Sequence, residues 1–238
     1  MCGRFVISDT QPDLVALFDI EIVGENLPGP SWNIRPTDQV PIVLESTKGG
    51  PAVRRLESAR WSLVPSFAKE LASPYPTFNA RSEDLAEKAS FAASVATRRA
   101  LIPTDGYYEW HTDGSAKTPY FVHPPEGERM AFAGLYSWWR DPSKAESDPS
   151  RWVLSATILT MDAVAPLDAL HPRTPVVLPD WMWDTWLDPD EEADQEFVNA
   201  AVEAARPTAA TLEFHEVAPV RENGPSLIEP AAIPVGSL

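Results

Sequence analysis

The chain has 238 residues, 44% of them hydrophobic and 23% charged, which suits a globular protein able to bury a proper core. Its 35 acidic residues against 19 basic ones give a formal net charge of −16, which argues against a generic polyanion binder with a broad basic footprint. No apolar run is long enough for a bilayer, no basic-then-apolar leader opens the chain, and a single cysteine cannot form an internal disulfide; together these point to a reducing cytoplasm and no membrane partner. Four scattered histidines and one cysteine offer no metal-ligand spacing.

Gly3–Ser8 reads as a strand, and Asp9 or Thr10 can cap a short helix running to Asp19. Residues 39–45 and 52–64 read as strands, and 83–94 as a helix by composition. Residues 100–103, 107–111, 119–123 and 130–138 look like successive strands punctuated by Gly, Pro and Asp turns. Residues 152–161 (WVLSATILTM) have the pattern of a buried strand. A short helix is expected over 163–170, a strand over 175–178, an acidic helical pair over 180–187 and 191–205, and a last strand over 211–220. Many strands with a few helices predict a single α+β domain covering 1–238, with a mainly antiparallel, barrel-like β core and peripheral helices.

Cys2 stands directly behind Met1 and ahead of Gly3 and Arg4. If Met1 is removed, as is usual before a small second residue, the chain begins with a thiol and a primary amine on adjacent carbons. The amine titrates near 7.7–8.0 and the thiol near about 8.5, so both supply nucleophile at neutral pH. With an aldehyde, the amine forms an imine and sulfur then closes a thiazolidine. The plain alternative is a small buried apolar residue.

Four further stretches carry polar groups in unusual company. Asn79 and Arg81 lie two apart at a strand end, on one side of it, unless they are a turn asparagine and a solvated arginine. Glu109 sits among aromatics in DGYYEW, where a carboxylate suits proton transfer; on the other reading it simply faces water. His171 and Arg173 precede an apolar run, and histidine is the natural proton shuttle near neutrality, unless it is only a loop residue. Trp61 and Phe67 flank a Pro turn with Arg60 and Lys69, a set that can stack a base and hold a phosphate, or be a core Trp and a loop Phe.

In this order the stretches resemble the SOS response-associated peptidase family of abasic-site processing proteins. The resemblance runs through Met1-Cys2-Gly3-Arg4-Phe5, residues 32–37, 61–69 and 78–81, Asp105 to Trp110, 170–178 and 222–230. Each motif alone is weak; their register, headed by cysteine at position 2, is specific. The resemblance implies covalent capture of abasic sites in single-stranded DNA, with Cys2 attacking through amine and sulfur. Asn79 would hold the Cys2 terminus, Glu109 would move protons during imine formation and sulfur addition, and His171 would serve the sugar ring oxygen. Arg4, Arg81 and Arg173 would grip phosphates, with Phe67 and Trp61 beside bases. It implies no cofactor, a monomer, and a lyase outcome by β-elimination from the imine. The chain departs from the family pattern at Ser62, Phe67, Pro172, Thr174 and Arg35.

Two other readings stay open. Cys2 could be the thiol nucleophile of a cysteine peptidase acting on its own leader, with Glu109 or His171 as base. The acidic stretch from Asp180 to Glu203, which lacks any Lys or Arg, could be an interaction face.

Overall fold

A computed structural model describes residues 2–48, 50–73, 75–126 and 128–232. In chain order the strands are β1 (Arg4–Ile7), β2 (Ile22–Val23), β3 (Ser31–Ile34), β4 (Gln39–Ser46), β5 (Val53–Trp61), β6 (Asn79–Arg81) and β7 (Arg99–Thr104). They continue with β8 (Gly106–Asp113), β9 (Ala116–His123), β10 (Met130–Arg140), β11 (Trp152–Asp162), β12 (Arg173–Pro175) and β13 (Glu213–Glu216). The helices are α1 (Gln11–Leu17), α2 (Ala92–Thr97), α3 (Trp183–Leu187) and α4 (Gln195–Thr211).

Five strands close on themselves. β11, β10, β7, β4 and β5 pair in that order, all antiparallel, and the ring is completed by a parallel pair between β5 and β11 (Arg60 beside Ser155, Trp61 beside Ala156). The α+β class with a barrel-like core is therefore what the chain adopts. Because side chains alternate, register sorts each strand's residues into two faces. Val40, Ile42, Ala59, Trp61, Ala100, Ile102, Phe132, Gly134, Ala156 and Ile158 share the inner face. Ala59, Ala100, Gly134 and Ala156 make room there for Ile42, Trp61, Ile102, Phe132 and Ile158, because a five-stranded barrel has little space. A Cβ on Gly134 would stand 2.9 Å from the Ile102 Cδ1 and 3.0 Å from the Thr157 carbonyl.

A second sheet, in the order β13, β9, β8, β1, β3, lies against one end of the barrel. Phe5 of β1 plugs that end, edge-on to Trp61 at 4.8 Å and to Phe132 at 5.8 Å. Gly106 opens β8 where a side chain cannot fit, since its Cβ would collide with the Val122 carbonyl and the Phe121 ring. The outer barrel face carries Arg99, whose guanidinium reaches backbone carbonyls from α2 to the start of α4.

Several expectations need correction. The helix over 83–94 is one 3-10 turn (Leu85–Glu87) followed by α2, because Asp84 is left-handed (φ 53°) and Lys88 is extended. Tertiary contacts override composition there: Leu85 is buried and the Gln195 side chain takes the Ala86 N–H. The helix over 163–170 is likewise a single turn, Leu167–Ala169. α4 starts later than expected, with Asp194 accepting from the Phe197 N–H as its N-cap, and runs past Pro207 to Thr211. Its buried stripe of Val198, Ala201, Val202, Ala205 and Ala209 continues across the proline and keeps the helix docked. The strand expected at 175–178 begins earlier, as β12, and leaves only an isolated bridge at Val177.

Candidate active site

Cys2 is fully buried beside the plugged end of the barrel, in contact with the core. Two of the residues singled out from the sequence reach it. Asn79, held on β6 by pairing with Ile158 of β11, donates from Nδ2 to the Cys2 carbonyl at 2.6 Å. Its Oδ1 is buried and has no hydrogen-bond partner among the described residues. Glu109 comes from β8, the strand next to β1, and is only 5% exposed. Burial pushes the Cys2 thiol well above its ordinary pKa, and the Glu109 charge pushes it further. The Cys2 Sγ–H points to the Arg4 carbonyl at 3.6 Å, so the group stands as a neutral thiol.

His171 joins the cluster through its neighbours. His171 Nδ1 stands 2.9 Å from the Arg173 N–H and 3.1 Å from the Arg173 carbonyl, so the ring is held against the backbone at the start of β12. One residue further on, buried Thr174 shares a hydrogen bond of 2.9 Å with the Tyr107 hydroxyl. Burial raises the Tyr107 pKa against that hydrogen bond, and the Glu109 charge adds to the rise. Tyr107 thus links the His171 loop to the Cys2 end of the barrel. Sequence reading gave it no role, and it saw Thr174 only as a departure.

The arginines divide. Arg4 donates to Asn33 Oδ1 at 2.6 Å, and Asn33 donates in turn to the Glu222 carbonyl at 2.6 Å. Burial lowers the Arg4 pKa, and the like charge of Arg35 lowers it further, with Asp38 opposing. Two neighbouring guanidinium groups therefore concentrate positive charge near the N-terminus of an acidic protein. Arg81, at the end of β6, is exposed and has no side-chain partner among the described residues. Phe67 is 66% exposed on its loop.

Two expected DNA contacts are corrected. Trp61 is 0% exposed, packs on Phe5, and donates from its indole to the Phe78 carbonyl at 2.8 Å, so no base can reach it. Arg173 is not free to grip a phosphate. It makes a two-pronged pair with Glu83 (2.6 and 3.0 Å), a second with Asp162 (2.7 Å), and a bond to the Thr160 carbonyl (2.6 Å). Its charge is spent in anchoring the His171 loop to β11. No group of three or more His, Cys, Asp or Glu among the described residues is placed to hold a metal.

The buried thiol and tyrosine predict a fall in stability at high pH. Below the unfolded-state pKa of each group, about 8.5 for cysteine and 10 for tyrosine, folded and unfolded chains both keep the proton. Above it the unfolded chain loses a proton that the folded one retains, so stability drops by up to about 1.4 kcal/mol per pH unit per group. Urea midpoints should therefore decline from near pH 8.5 and more steeply above pH 10, where Tyr108 and Tyr136, also raised by burial, add to Tyr107, and Tyr107→Phe should lessen the second phase without abolishing it. A midpoint constant to pH 10.5 would contradict the burial of both groups.

The barrel with its flanking sheet is a known architecture. A crystal structure of a protein from Bacteroides thetaiotaomicron superposes with a TM-score of 0.80 at 18% identity, covering 97% of this chain and all of that one. Residues 1–222 match the family SRAP, SOS response associated peptidase, and the chain belongs to it. Abasic site processing protein YoqW of Bacillus subtilis is 31% identical over 96% of this chain and 99% of its own length. Abasic site processing protein HMCES of Gallus gallus is 29% identical over 87% of this chain and 68% of its own.

Proposed function

We propose that this chain processes abasic sites in single-stranded DNA by covalent capture at Cys2. The observation that carries the reading is the grip on Cys2: Asn79 holds its carbonyl, and buried Glu109 lies on β8, the strand paired with β1 that begins two residues after Cys2. Removal of Met1 frees the α-amine beside Asn79, whose Oδ1 is available as an acceptor for it. The amine adds to the sugar aldehyde, and loss of water gives the imine. The Cys2 thiol then adds across the C=N bond, closing a thiazolidine. The sulfur proton ends on nitrogen, so the overall step is aldehyde plus aminothiol giving ring plus one water.

The thiol's raised pKa supports this order, since the amine, not sulfur, is the ready nucleophile in the resting site. Glu109 carries protons to the departing hydroxyl and from the thiol. His171 serves the sugar ring oxygen as the ring opens. Arg4, backed by Arg35, and exposed Arg81 meet phosphates, and Phe67 stacks on a base. The protein acts as a single domain and a monomer, with strand cleavage by β-elimination from the imine as a side path.

The test is a denaturing gel of the purified protein with a single-stranded oligonucleotide carrying a uracil-excised site. A heat-stable shifted band is expected, with a mass equal to chain lacking Met1 plus DNA less one water. Absence of that band at low salt, with Met1 shown to be removed, would overturn the reading. Self-removal of Met1 by the thiol is the competing use of the site. It would appear as processing that fails in Glu109→Gln despite an active host aminopeptidase.

A further inference from the structure

The barrel end remote from Cys2 is open. The inner-face residues there are Tyr136 and Trp138 of β10, Trp152 of β11 and Arg55 and Glu57 of β5, with Arg98 just ahead of β7. They border a cavity of about 910 Å³, within the usual size of small-molecule sites. Trp138 and Trp152 are 43% and 52% exposed, and among the described residues neither indole packs on another aromatic ring. Their strands are paired so that Trp138 lies opposite Leu154 and Trp152 opposite Arg140, one diagonal step apart on the same face.

The polar groups at this mouth are also unspent. Arg98 and Lys48 have no side-chain partner among the described residues, and the Tyr136 hydroxyl makes no hydrogen bond to any of them. Arg98 and Tyr136 line the same cavity, and Tyr136 follows directly on the register pair of Leu135 with Arg99. Arg55 and Glu57 neutralise each other at 2.7 Å, and the remaining acid, Glu25, is exposed. A protein of net charge −16 thus keeps two uncommitted cations beside the open Trp138 indole and Trp152, which has the Arg151 guanidinium over its ring at 6.0 Å.

We propose that the open barrel mouth is a second binding site, for a nucleobase carrying a phosphate. The base lies on Trp138 and Trp152, and the phosphate oxygens take donors from Arg98, Lys48 and Tyr136. A planar fork and an ammonium suit phosphate, and exposed indoles suit any base face. The same chemistry is offered by a free nucleotide and by the phosphorylated end of a DNA strand. The site does not depend on Cys2, which lies at the other end of the barrel.

Calorimetric titration with deoxyadenosine monophosphate, deoxyadenosine, inorganic phosphate and a terminally phosphorylated short oligonucleotide tests it. Saturable binding of the monophosphate is expected, about tenfold or more tighter than the nucleoside or phosphate alone. Arg98→Gln should erase the preference for monophosphate over nucleoside. Trp138→Leu should weaken both by about tenfold, while Trp138→Phe retains most of the affinity. Oligonucleotide affinity that falls in Arg98→Gln as far as the monophosphate's does would assign the site to a strand end; oligonucleotide affinity unchanged in Arg98→Gln beside weakened monophosphate binding would assign it to the free nucleotide. Absence of saturable binding by either, or affinities unchanged in Arg98→Gln and Trp138→Leu, would overturn the proposal. Adduct formation at Cys2 in Arg98→Gln, measured alongside, reports separately on the first site.

Discussion

Cys2→Ser and Cys2→Ala are both expected to lose the heat-stable DNA adduct completely while keeping a reducible one. Each substitution leaves a small second residue, so Met1 is still removed and an α-amine still faces Asn79. The amine can form an imine, which water reverses within the assay. Borohydride added during the reaction should therefore recover a band in both variants, by converting C=N to a stable secondary amine. Only cysteine supplies a second nucleophile already tethered to the imine carbon. Such tethering is worth effective molarities on the order of 10⁵ M or more, so millimolar external thiol cannot replace it. Asn79→Ala should reduce both the trapped and the stable band, because it loosens the Cys2 carbonyl that Nδ2 holds at 2.6 Å. If Cys2→Ser gave the same heat-stable band as the parent chain, ring closure by sulfur would be wrong. If neither variant gave a borohydride-trapped band, the amine would not be the first nucleophile.

Arg99→Met is expected to be the most destabilising single change outside the site. Arg99 is 2% exposed, and its five N–H groups all end on backbone carbonyls. Nε donates to Trp186 (2.8 Å), Nη1 to Val95 (2.9 Å) and Ala96 (2.7 Å), and Nη2 to Glu191 (2.8 Å) and Asp188. Those carbonyls belong to the ends of α2 and α3 and to the turn before α4, where helix geometry leaves acceptors unmatched. The guanidinium also lies over the Phe197 ring at 5.1 Å. Methionine keeps much of the volume and none of the donors. Charge-assisted bonds of this kind are worth about 1.5–3 kcal/mol each, and partial rehydration of the carbonyls offsets some of the loss. A net cost of about 3–5 kcal/mol, or roughly 6–20 °C in Tm, is expected. Arg99→Lys, with three donors and the same charge, should fall between. A Tm within about 2 °C of the parent for Arg99→Met would show that the carbonyls do not depend on the side chain.

Much of the barrel could be read from residue order because strand signals, whether alternating or continuously apolar, are local. The runs at 39–45, 52–64, 130–138 and 152–161 are each bounded by their own composition, and the observed strands follow them to within a few residues. The association of Cys2 with Asn79 was expected only through the family resemblance, because taken alone Asn79 reads as well as a turn residue and Glu109 as a carboxylate facing water. What could not be read was whatever a distant partner decides. Trp61 and Phe67 look alike in sequence, yet ring closure turns the first inward and leaves the second in water. Arg173 looks like a free cation until Glu83, 90 positions earlier, folds against it. Asn33 shows no sign of its bond to Arg4, and the barrel mouth does not exist until five strands meet. The helix expected over 83–94 failed for the same reason, because Gln195 takes a backbone group that the helix needed.

The parallel seam between β5 and β11 has a kinetic consequence. It joins Arg60 to Ser155 and Trp61 to Ala156, positions about 95 residues apart, and the loop entropy must be met before any of its hydrogen bonds form. The same β11 edge carries Asn79, so the grip on Cys2 matures only with this slow, non-local step. Reactivity at the head of the chain is thus a late acquisition of the whole ring, and no fragment ending before β11 can possess it.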